Sequence, residues 1–204
     1  MNLIATDKGN VKISTLTGKL SGIRAINTNT LSNAFCSKMR KTDAICNQCY
    51  SAAMLEGSRK NCVKPWESNS EILSTTKITH VPYINESVFR FHAHGELINR
   101  LHYENYVAIA AANPHCIFTL WTKRKDLVRG IERPANMILI FSNSRTDRVL
   151  KRVPAGFDKV FNAIKKEHRQ PTDNVNCHSK CIDCRLCYSI NDVKVITEIA
   201  KIRS

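Results

Sequence analysis

Apolar and polar residues alternate along the middle of the chain in short runs that predict strands and helices in turn. The run 88–95 (VFRFHAHG) has a period of two and is rich in aromatic residues, which is typical of a strand. The run 101–114 (LHYENYVAIAAANP) has apolar residues at helical spacing and ends at Asn113-Pro114, which predicts a helix. The remaining runs predict strands at 116–122, 136–143 and 157–164, a short helix at 125–131, and a strand or helix at 193–202.

The order of these elements favours an α/β fold with a parallel sheet, because apolar strands separated by helices require crossover connections. With 204 residues, the chain suits a reduced or partial (β/α) barrel better than a closed eight-fold barrel, which typically needs about 250 residues. No repeat or linker divides the sequence, so residues 1–204 are predicted to form one domain. Residues that directly follow successive strands are then expected to share one rim, namely Gly95-Glu96, Thr122-Lys123 and the segment from Ser142 to Arg145.

The composition fits a globular protein with an apolar core, since 43% of the residues are hydrophobic and 24% are charged. No stretch approaches the roughly 18 consecutive apolar residues of a membrane helix, and the N-terminal segment lacks the basic-then-apolar order of a signal peptide. We therefore expect a soluble, cytoplasmic protein. In a reducing cytoplasm disulfides are disfavoured, and nine cysteines cannot all pair within one chain, so clustered cysteines indicate metal or redox chemistry.

Four cysteines near the C-terminus lie within eleven residues, with the spacing C-x3-C-x2-C-x2-C. A zinc ion usually takes pairs of thiols from two separate segments, whereas a bulkier iron–sulfur cluster suits four thiols from one continuous run. The spacing therefore favours a 4Fe–4S cluster, with zinc as the alternative metal and a role without metal also open. The four residues are Cys177, Cys181, Cys184 and Cys187, and His178 is an alternative ligand.

A second cysteine group occupies the loop 35–62. Cys36, Cys46 and Cys49 have the spacing C-x9-C-x2-C, and Cys62 follows thirteen residues later. If Cys62 joins the other three, four thiolates close the site, which favours a structural or electron-transfer role. If Cys62 is instead a buried or surface free thiol, three cysteines leave one iron open to a small ligand, as in catalytic metal sites.

The chain is strongly basic, with a net charge of +14 and a pI near 9.6. Such a charge favours a polyanionic partner such as DNA or RNA. The basic residues stand in scattered short runs (KMRK, WTKRKD, RVLKRV, KKEHR) rather than in one arm, so general solubility is the alternative explanation. Charge alone does not distinguish one nucleic acid from another.

Several other side chains are candidates for chemistry or for packing. His92 and His94 alternate on one predicted strand and are expected to share a face, where they could bind a metal or relay protons; the alternative is a pair of hydrogen-bonded core histidines. Lys123 to Lys125 follow a strand and could hold a phosphate or a carboxylate, or simply form a solvated basic loop. Cys116, Trp66 and Trp121 are expected to be packing residues.

Five segments together resemble the gene product 88 family, whose members are small proteins of phages and related genomes. In chain order these are CSKMRKTDAICNQCYSA, FRFHAHGELIN, NPHCIFTLWTKRKDL, MILIFSNS and CHSKCIDCRLCY. The family is distantly similar to radical S-adenosylmethionine proteins, whose barrels carry a three-cysteine cluster after the first strand and a Gly-Gly-Glu-like turn after the second. If a phage encodes the chain, the cytoplasm concerned is that of the host cell.

The resemblance implies a fold and a cofactor, but no particular reaction. Cys36, Cys46 and Cys49 stand where the three-cysteine loop is expected, with a longer first gap than the usual C-x3-C-x2-C. The turn His94-Gly95-Glu96, in which His94 replaces the first glycine, stands where a carboxylate takes the amino group of S-adenosylmethionine. Lys123 completes the expected cofactor-binding residues, and the C-terminal cysteines look like an auxiliary cluster.

Two functions of different classes follow from these observations. The first is an enzyme that cleaves S-adenosylmethionine at the open iron of an N-terminal 4Fe–4S cluster to start radical chemistry. The second is a non-catalytic protein in which one or two iron–sulfur clusters, or zinc, stabilise a basic domain that binds nucleic acid or a host protein. The sequence leaves open whether the protein is an enzyme.

Overall fold

The computed structural model describes residues 3–6, 9–81 and 83–200, which form an α/β fold. The strands are β1 (Leu3–Thr6), β2 (Gly9–Thr15), β3 (Arg24–Ile26), β4 (Val88–Phe91), β5 (Ile117–Thr122), β6 (Met137–Ser142), β7 (Lys159–Ile164) and β8 (Val195–Ile199). The α-helices are α1 (Ala34–Met39), α2 (Tyr50–Glu56), α3 (Val63–Thr75), α4 (Arg100–Ala111), α5 (Lys125–Val128) and α6 (Cys181–Cys184). Short 3-10 turns lie at Gly18–Leu20, Ile45–Gln48, Lys60–Cys62 and Lys166–His168.

The strands form one sheet in which each strand neighbours the next one in the chain. The pairs β1–β2 and β2–β3 are antiparallel, whereas every pair from β3 to β8 is parallel. The predicted α/β class with a parallel sheet is therefore confirmed. Within the described residues the sheet is not closed into a barrel, because the pairing runs from β1 at one edge to β8 at the other.

The two faces of the sheet belong to separate apolar cores. Phe91 of β4 and Leu120 of β5 lie in the core under α3 and α4, and the ring of Phe91 stacks on that of Tyr106 at 4.0 Å. Val88 of β4 points to the other face, where it shares a core with Cys187 of the C-terminal segment. The C-terminal cysteine segment therefore covers the face of the sheet opposite α3 and α4.

Most elements predicted for the middle of the chain are present. The strands predicted at 116–122, 136–143 and 157–164 are β5, β6 and β7, and the helices predicted at 101–114 and 125–131 are α4 and α5. The run 193–202, which left strand and helix open, contains strand β8, while residues 201 and 202 lie outside the described residues. None of the helices in the described ranges has the length and apolar character needed to cross a membrane.

The strand predicted at 88–95 is wrong in its second half, because β4 ends at Phe91. His92 has a φ of +60°, which takes the chain out of the strand. The backbone N–H groups of Ala93 and His94 both donate to the Asn27 side-chain oxygen at 3.0 Å. A side chain thus provides the acceptor that a neighbouring strand would otherwise offer, and the alternation of faces ends there.

Helix α3, which no sequence-based prediction covered, fixes the segment that leads from β3 into the first cysteine loop. The Asn69 side chain donates to the carbonyl oxygens of Lys12 and Asn27 at 2.9 and 2.8 Å, and it accepts from the Lys12 N–H at 2.7 Å. The Ser70 hydroxyl accepts from the Asn29 N–H at 2.9 Å. Through these contacts, α3 fixes the position of β2 relative to the loop after β3.

Candidate functional site

The carboxyl ends of the parallel strands meet at one edge of the sheet, as expected for such a topology. We call the segments that follow β3 to β7 at this edge the rim: 27–49, 92–99, 123–128, 143–150 and 165–169. Glu96 accepts hydrogen bonds there from the Thr122 hydroxyl at 2.5 Å and the Lys123 N–H at 2.9 Å. The Lys123 ammonium donates to the Ser142 hydroxyl at 2.8 Å. The structure thus brings together the predicted rim residues from three successive strands.

The Glu96 carboxylate is buried and well supplied with donors. Besides the two bonds across the rim, it accepts a third from the Leu97 N–H at 2.8 Å. Burial raises the pKa of Glu96, while the Lys123 charge and these hydrogen bonds lower it in partial compensation. With three donors in place, Glu96 ties the ends of β4 and β5 together and retains little capacity for a further ligand.

Gly95 occupies a position that only glycine fits. Its φ is +101°, and a Cβ built on it would lie 2.0 Å from the Thr28 hydroxyl oxygen and 2.8 Å from the Thr28 carbonyl oxygen. The Thr28 N–H donates to the His94 carbonyl oxygen at 3.1 Å, so the two loops run in direct contact. The glycine therefore allows the turn after β4 to lie against the loop after β3.

Asn33 holds α1, and with it Cys36, against the rim. Its side-chain oxygen caps the helix by accepting from the N–H groups of Phe35 and Cys36 at 3.0 and 3.2 Å. Its side-chain nitrogen donates to the Glu96 carbonyl oxygen at 2.9 Å. Cys36 therefore lies next to the turn that carries Glu96.

Cys46 and Cys49 approach the same place from a second segment. Cys46 lies in the 3-10 turn Ile45–Gln48, and Cys49 follows that turn directly. The Ile45 N–H donates to the Ser144 carbonyl oxygen at 2.8 Å, which attaches the cysteine loop to the segment after β6.

The three thiols interact electrostatically with one another and with the rim. Burial raises the pKa of Cys36, and the charges of Glu96, Cys49 and Cys46 raise it further, while Lys123 lowers it. Burial likewise raises the pKa of Cys46, with Lys123 opposing this shift. Lys123 is thus the cation that favours thiolate at this group.

Cys62 stands apart from this group. It ends the 3-10 turn Lys60–Cys62, and its sulfur lies 3.7 Å from the Asn61 side-chain oxygen. It is not among the charges that shift the pKa of Cys36 or Cys46, whereas Cys49 is. Within the described residues, charge interactions thus link Cys36 and Cys46 to Cys49, and no such link to Cys62 is found.

The four C-terminal cysteines form a second group on the sheet face opposite α3 and α4. Cys181 and Cys184 lie on α6, and Cys187 is buried in the apolar core of that face. The Lys19 ammonium donates to the Cys177 sulfur at 3.1 Å and forms an ion pair with Glu198 at the same distance.

One buried and one half-buried cation accompany this second group. Burial raises the pKa of Cys187, and the charges of Cys177 and Cys181 raise it further, while Arg90 and Lys159 lower it. Burial also raises the pKa of Cys181, with Arg90 again opposing. Thiolates or a negatively charged cluster at this place would have cationic side chains nearby.

Arg90 connects the sheet with the C-terminal segment. Its guanidinium lies 3.8 Å from the centre of the Trp121 ring, a cation–π contact. It also donates to the Tyr188 hydroxyl at 3.3 Å and the His92 carbonyl oxygen at 3.2 Å. Sequence patterns missed Arg90; its signal is a charged residue inside an otherwise apolar strand, VFRF.

His92 and His94 lie in different surroundings, so the predicted shared face is not present. His94 bonds the Ser51 hydroxyl at 3.0 Å and packs its ring on Trp66 at 4.6 Å, and burial lowers its pKa to about 3. His92 is buried beside His102 on the α4 side, and no hydrogen-bond partner reaches either of its ring nitrogens within the described residues.

The packing predictions agree with the structure. Trp66 is buried against His94, Cys116 is fully buried, and Trp121 packs under Arg90.

In the described part of the chain, no group of three or more His, Cys, Asp or Glu side chains is arranged to hold a metal ion. The donor atoms nevertheless suit an iron–sulfur cluster or a zinc ion. Both groups consist of thiols, which are the ligands that these two prefer.

The family model described as Gene product 88 matches residues 5–190. Comparison with curated proteins and with solved structures finds no significant match. The matched region contains both cysteine groups and the rim segments that connect β3 to β7. Because the match covers most of the chain, the protein belongs to the gene product 88 family.

Proposed function

We propose that the protein binds iron–sulfur clusters through its two cysteine groups, and that the group at the rim is the functional one. The observation that carries the proposal is the association of three thiols, Cys36, Cys46 and Cys49, with Glu96 and Lys123 at the carboxyl ends of the parallel strands. This is the edge where α/β proteins place their ligands.

Iron–sulfur clusters are a better match than zinc for the C-terminal group. Four thiols from eleven consecutive residues suit a cluster several atoms wide. The nearby cations Lys19, Arg90 and Lys159 would offset the negative charge of a thiolate-ligated cluster. Binding at either group would require side-chain rotations that bring the sulfur atoms onto one centre. Zinc remains the alternative metal, since it takes the same ligands.

A three-cysteine cluster at the rim would leave one iron open, and we propose S-adenosylmethionine as its ligand. A bound cluster supplies the electron for reductive cleavage of this cosubstrate. His94, Gly95, Glu96 and Lys123 line the adjacent turns and are the residues proposed to hold it. In this proposal the parallel strands β3 to β8, which follow one another in chain order, act as a partial (β/α) barrel.

The second candidate is a non-catalytic cluster protein that binds nucleic acid or a host protein. The saturation of the Glu96 carboxylate by three internal donors favours it, because an amino group would have to compete with them. Reduced, cluster-replete protein that fails to cleave S-adenosylmethionine would support this candidate over the enzyme.

Anaerobic iron and sulfide analysis of matched variants tests the proposal. The wild type is expected to hold about eight iron atoms per chain if both groups bind 4Fe–4S clusters. The triple variant Cys36→Ala/Cys46→Ala/Cys49→Ala should lose about half of the iron, and so should Cys177→Ala/Cys181→Ala/Cys184→Ala/Cys187→Ala. Cys62→Ala is the control and should keep the full content.

Two results would contradict the proposal. One is a colourless anaerobic preparation that contains stoichiometric zinc and no iron. The other is an iron content that does not change in either multiple variant, since the cysteines would then not be ligands.

A further inference from the structure

We propose that the rim binds single-stranded nucleic acid, with phosphates on its basic segments and a base against the exposed ring of Tyr50. This inference names a substrate class for the rim site with its three thiols. It rests on the proposed function only in placing the strand over those thiols. The side chains that would bind the strand are basic and aromatic.

The two ends of the parallel strands differ in net charge. The five rim segments contain eleven Lys or Arg residues and five Asp or Glu residues. The segments that precede the parallel strands at the opposite end contain seven Lys or Arg and four Asp or Glu residues; they are 16–23, 76–87, 112–116, 129–136, 151–158 and 190–194. The topology therefore gives the rim segments a net charge of +6 from eleven basic and five acidic residues, against +3 from seven basic and four acidic residues at the opposite end.

Three of the five acidic residues of the rim are engaged within the protein. Glu96 is buried, Asp126 forms an ion pair with Arg124 at 2.7 Å, and Asp147 bonds His168 at 2.8 Å. Seven exposed rim cations take part in no ion pair within the described residues: Lys38, Lys41, Lys125, Arg145, Arg148, Lys166 and Arg169. Unpaired, exposed cations are the groups that bind phosphates and release counterions.

Direct contacts join these segments into one surface. The Ile45 N–H donates to the Ser144 carbonyl oxygen at 2.8 Å, and the Lys165 N–H donates to the Asp147 carboxylate at 2.6 Å. The segment after β3 is thereby attached to the segment after β6, which is attached to the segment after β7. A flexible polyanion could follow this path past the thiol group.

Tyr50 provides an aromatic surface on the same path. It directly follows Cys49, and 54% of its surface is exposed. Its hydroxyl donates inward to the Ala93 carbonyl oxygen, and its ring meets the His94 ring edge-on at 5.3 Å. These contacts fix the orientation of the ring while part of it faces solvent, as in the stacking platforms of single-strand-binding proteins.

The combination favours a single strand over a duplex or an acidic protein. A duplex keeps its bases stacked internally, and an acidic protein surface offers no base to stack. DNA and RNA share the phosphates and the base faces, so the experiment must compare both.

Fluorescence anisotropy with a labelled oligonucleotide of about 12 nucleotides tests the inference, using single-stranded DNA, single-stranded RNA and duplex DNA. Arg145→Gln/Arg148→Gln/Lys166→Gln should weaken single-strand binding about tenfold or more and reduce the salt slope by about 2, at roughly 0.7 per lost phosphate contact. Lys77→Gln/Arg133→Gln/Lys194→Gln is the matched control with the same charge change at the opposite end, and it should bind like the wild type.

Tyr50 has its own matched control in Tyr83, which is 68% exposed in segment 76–87 at the opposite end. Tyr50→Ala should weaken binding about tenfold, within the range measured for loss of one stacked base. Tyr83→Ala should leave binding unchanged. Tyr50→Phe keeps the ring and should retain most of the affinity, which separates stacking from a loss of folding.

The two proposals can fail separately. Protein that holds iron but binds no oligonucleotide, or whose affinity does not change with salt, overturns the nucleic-acid inference alone. A wild type prepared anaerobically that binds the oligonucleotide but contains no iron overturns the cluster proposal alone. Equal weakening by the rim and control triple variants, or preference for duplex, also contradicts the inference.

Discussion

At the scale of single residues, Gly95 allows two rim segments to approach each other closely. A Cβ there would lie 2.0 Å from the Thr28 hydroxyl oxygen, in a backbone conformation with φ of +101°. We expect Gly95→Ala to lower the free energy of unfolding by about 3 kcal/mol or more, because steric overlap adds to backbone strain. Urea unfolding monitored by circular dichroism measures this change.

Gly130→Ala is the matched control for Gly95→Ala. Gly130 also has a positive φ, +72°, but no atom lies within 4 Å of the position of its Cβ. We expect this variant to lose only about 1 kcal/mol, the cost of backbone strain alone. Equal losses at both positions would mean that the contact with Thr28 contributes nothing.

His102 makes stability depend on pH. Burial lowers its pKa to about 3, so as the pH falls below about 6.5 the unfolded chain takes up a proton that the folded chain does not. The free energy of unfolding therefore keeps the contribution of His102 above that pH and falls by about 1.4 kcal/mol per pH unit on acidification below it. His102→Asn should reduce the slope of unfolding free energy against pH, between about pH 6.5 and pH 4, by the amount that corresponds to the uptake of one proton. An unchanged slope would contradict the assignment.

At the scale of elements, the Asn69 side chain joins α3 to β2 and to the loop after β3. Asn69→Leu fills a similar volume but leaves the N–H and C=O of Lys12 and the C=O of Asn27 without these bonds. We expect a loss of about 3 kcal/mol or more in the free energy of unfolding, since buried unpaired polar groups cost about 1–3 kcal/mol each.

Asn47→Leu provides the comparison for Asn69→Leu. Asn47 is exposed and donates one bond, to the Thr42 carbonyl oxygen at 3.2 Å. Its replacement should change the unfolding free energy by no more than about 0.5 kcal/mol. If the two variants lose the same amount, the three bonds of Asn69 do not hold α3 in place.

A comparison of helix α3 with the strands of the sheet shows which parts of the fold the sequence can predict. Strands β5 and β6 are largely buried on both faces, so their mainly apolar runs identify them without further information, whereas β7 also contains the buried polar residues Lys159 and Asn162. Helix α3 depends on polar contacts such as that of Asn69, which involve residues far away in the chain and leave no local pattern. The end of β4 was missed for a similar reason, because the Asn27 side chain captures the N–H groups of Ala93 and His94.

At the scale of the whole molecule, topology converts separate sequence signals into a site. The cysteines at 36, 46 and 49 and the cations of the rim are far apart in the chain, and the rule that loops after parallel strands share one edge predicted that some of them would meet. The rule could not predict that Cys62 stands apart or that Arg90 lies near the second thiol group. Those positions follow from side-chain packing across the sheet.

The C-terminal cysteine segment gives the last test at this scale, because it packs on the face of the sheet opposite α3 and α4. A ligand that binds only the folded chain stabilises it by mass action, so anaerobic reconstitution with iron and sulfide should raise the melting temperature by several degrees. Cys181→Ala/Cys184→Ala should gain clearly less than the wild type, since its second group lacks two thiols. Differential scanning calorimetry under nitrogen measures both gains. Identical gains would mean that the second group holds no cluster, and that the apolar contacts of Cys187 and Tyr188 alone keep the segment on the sheet.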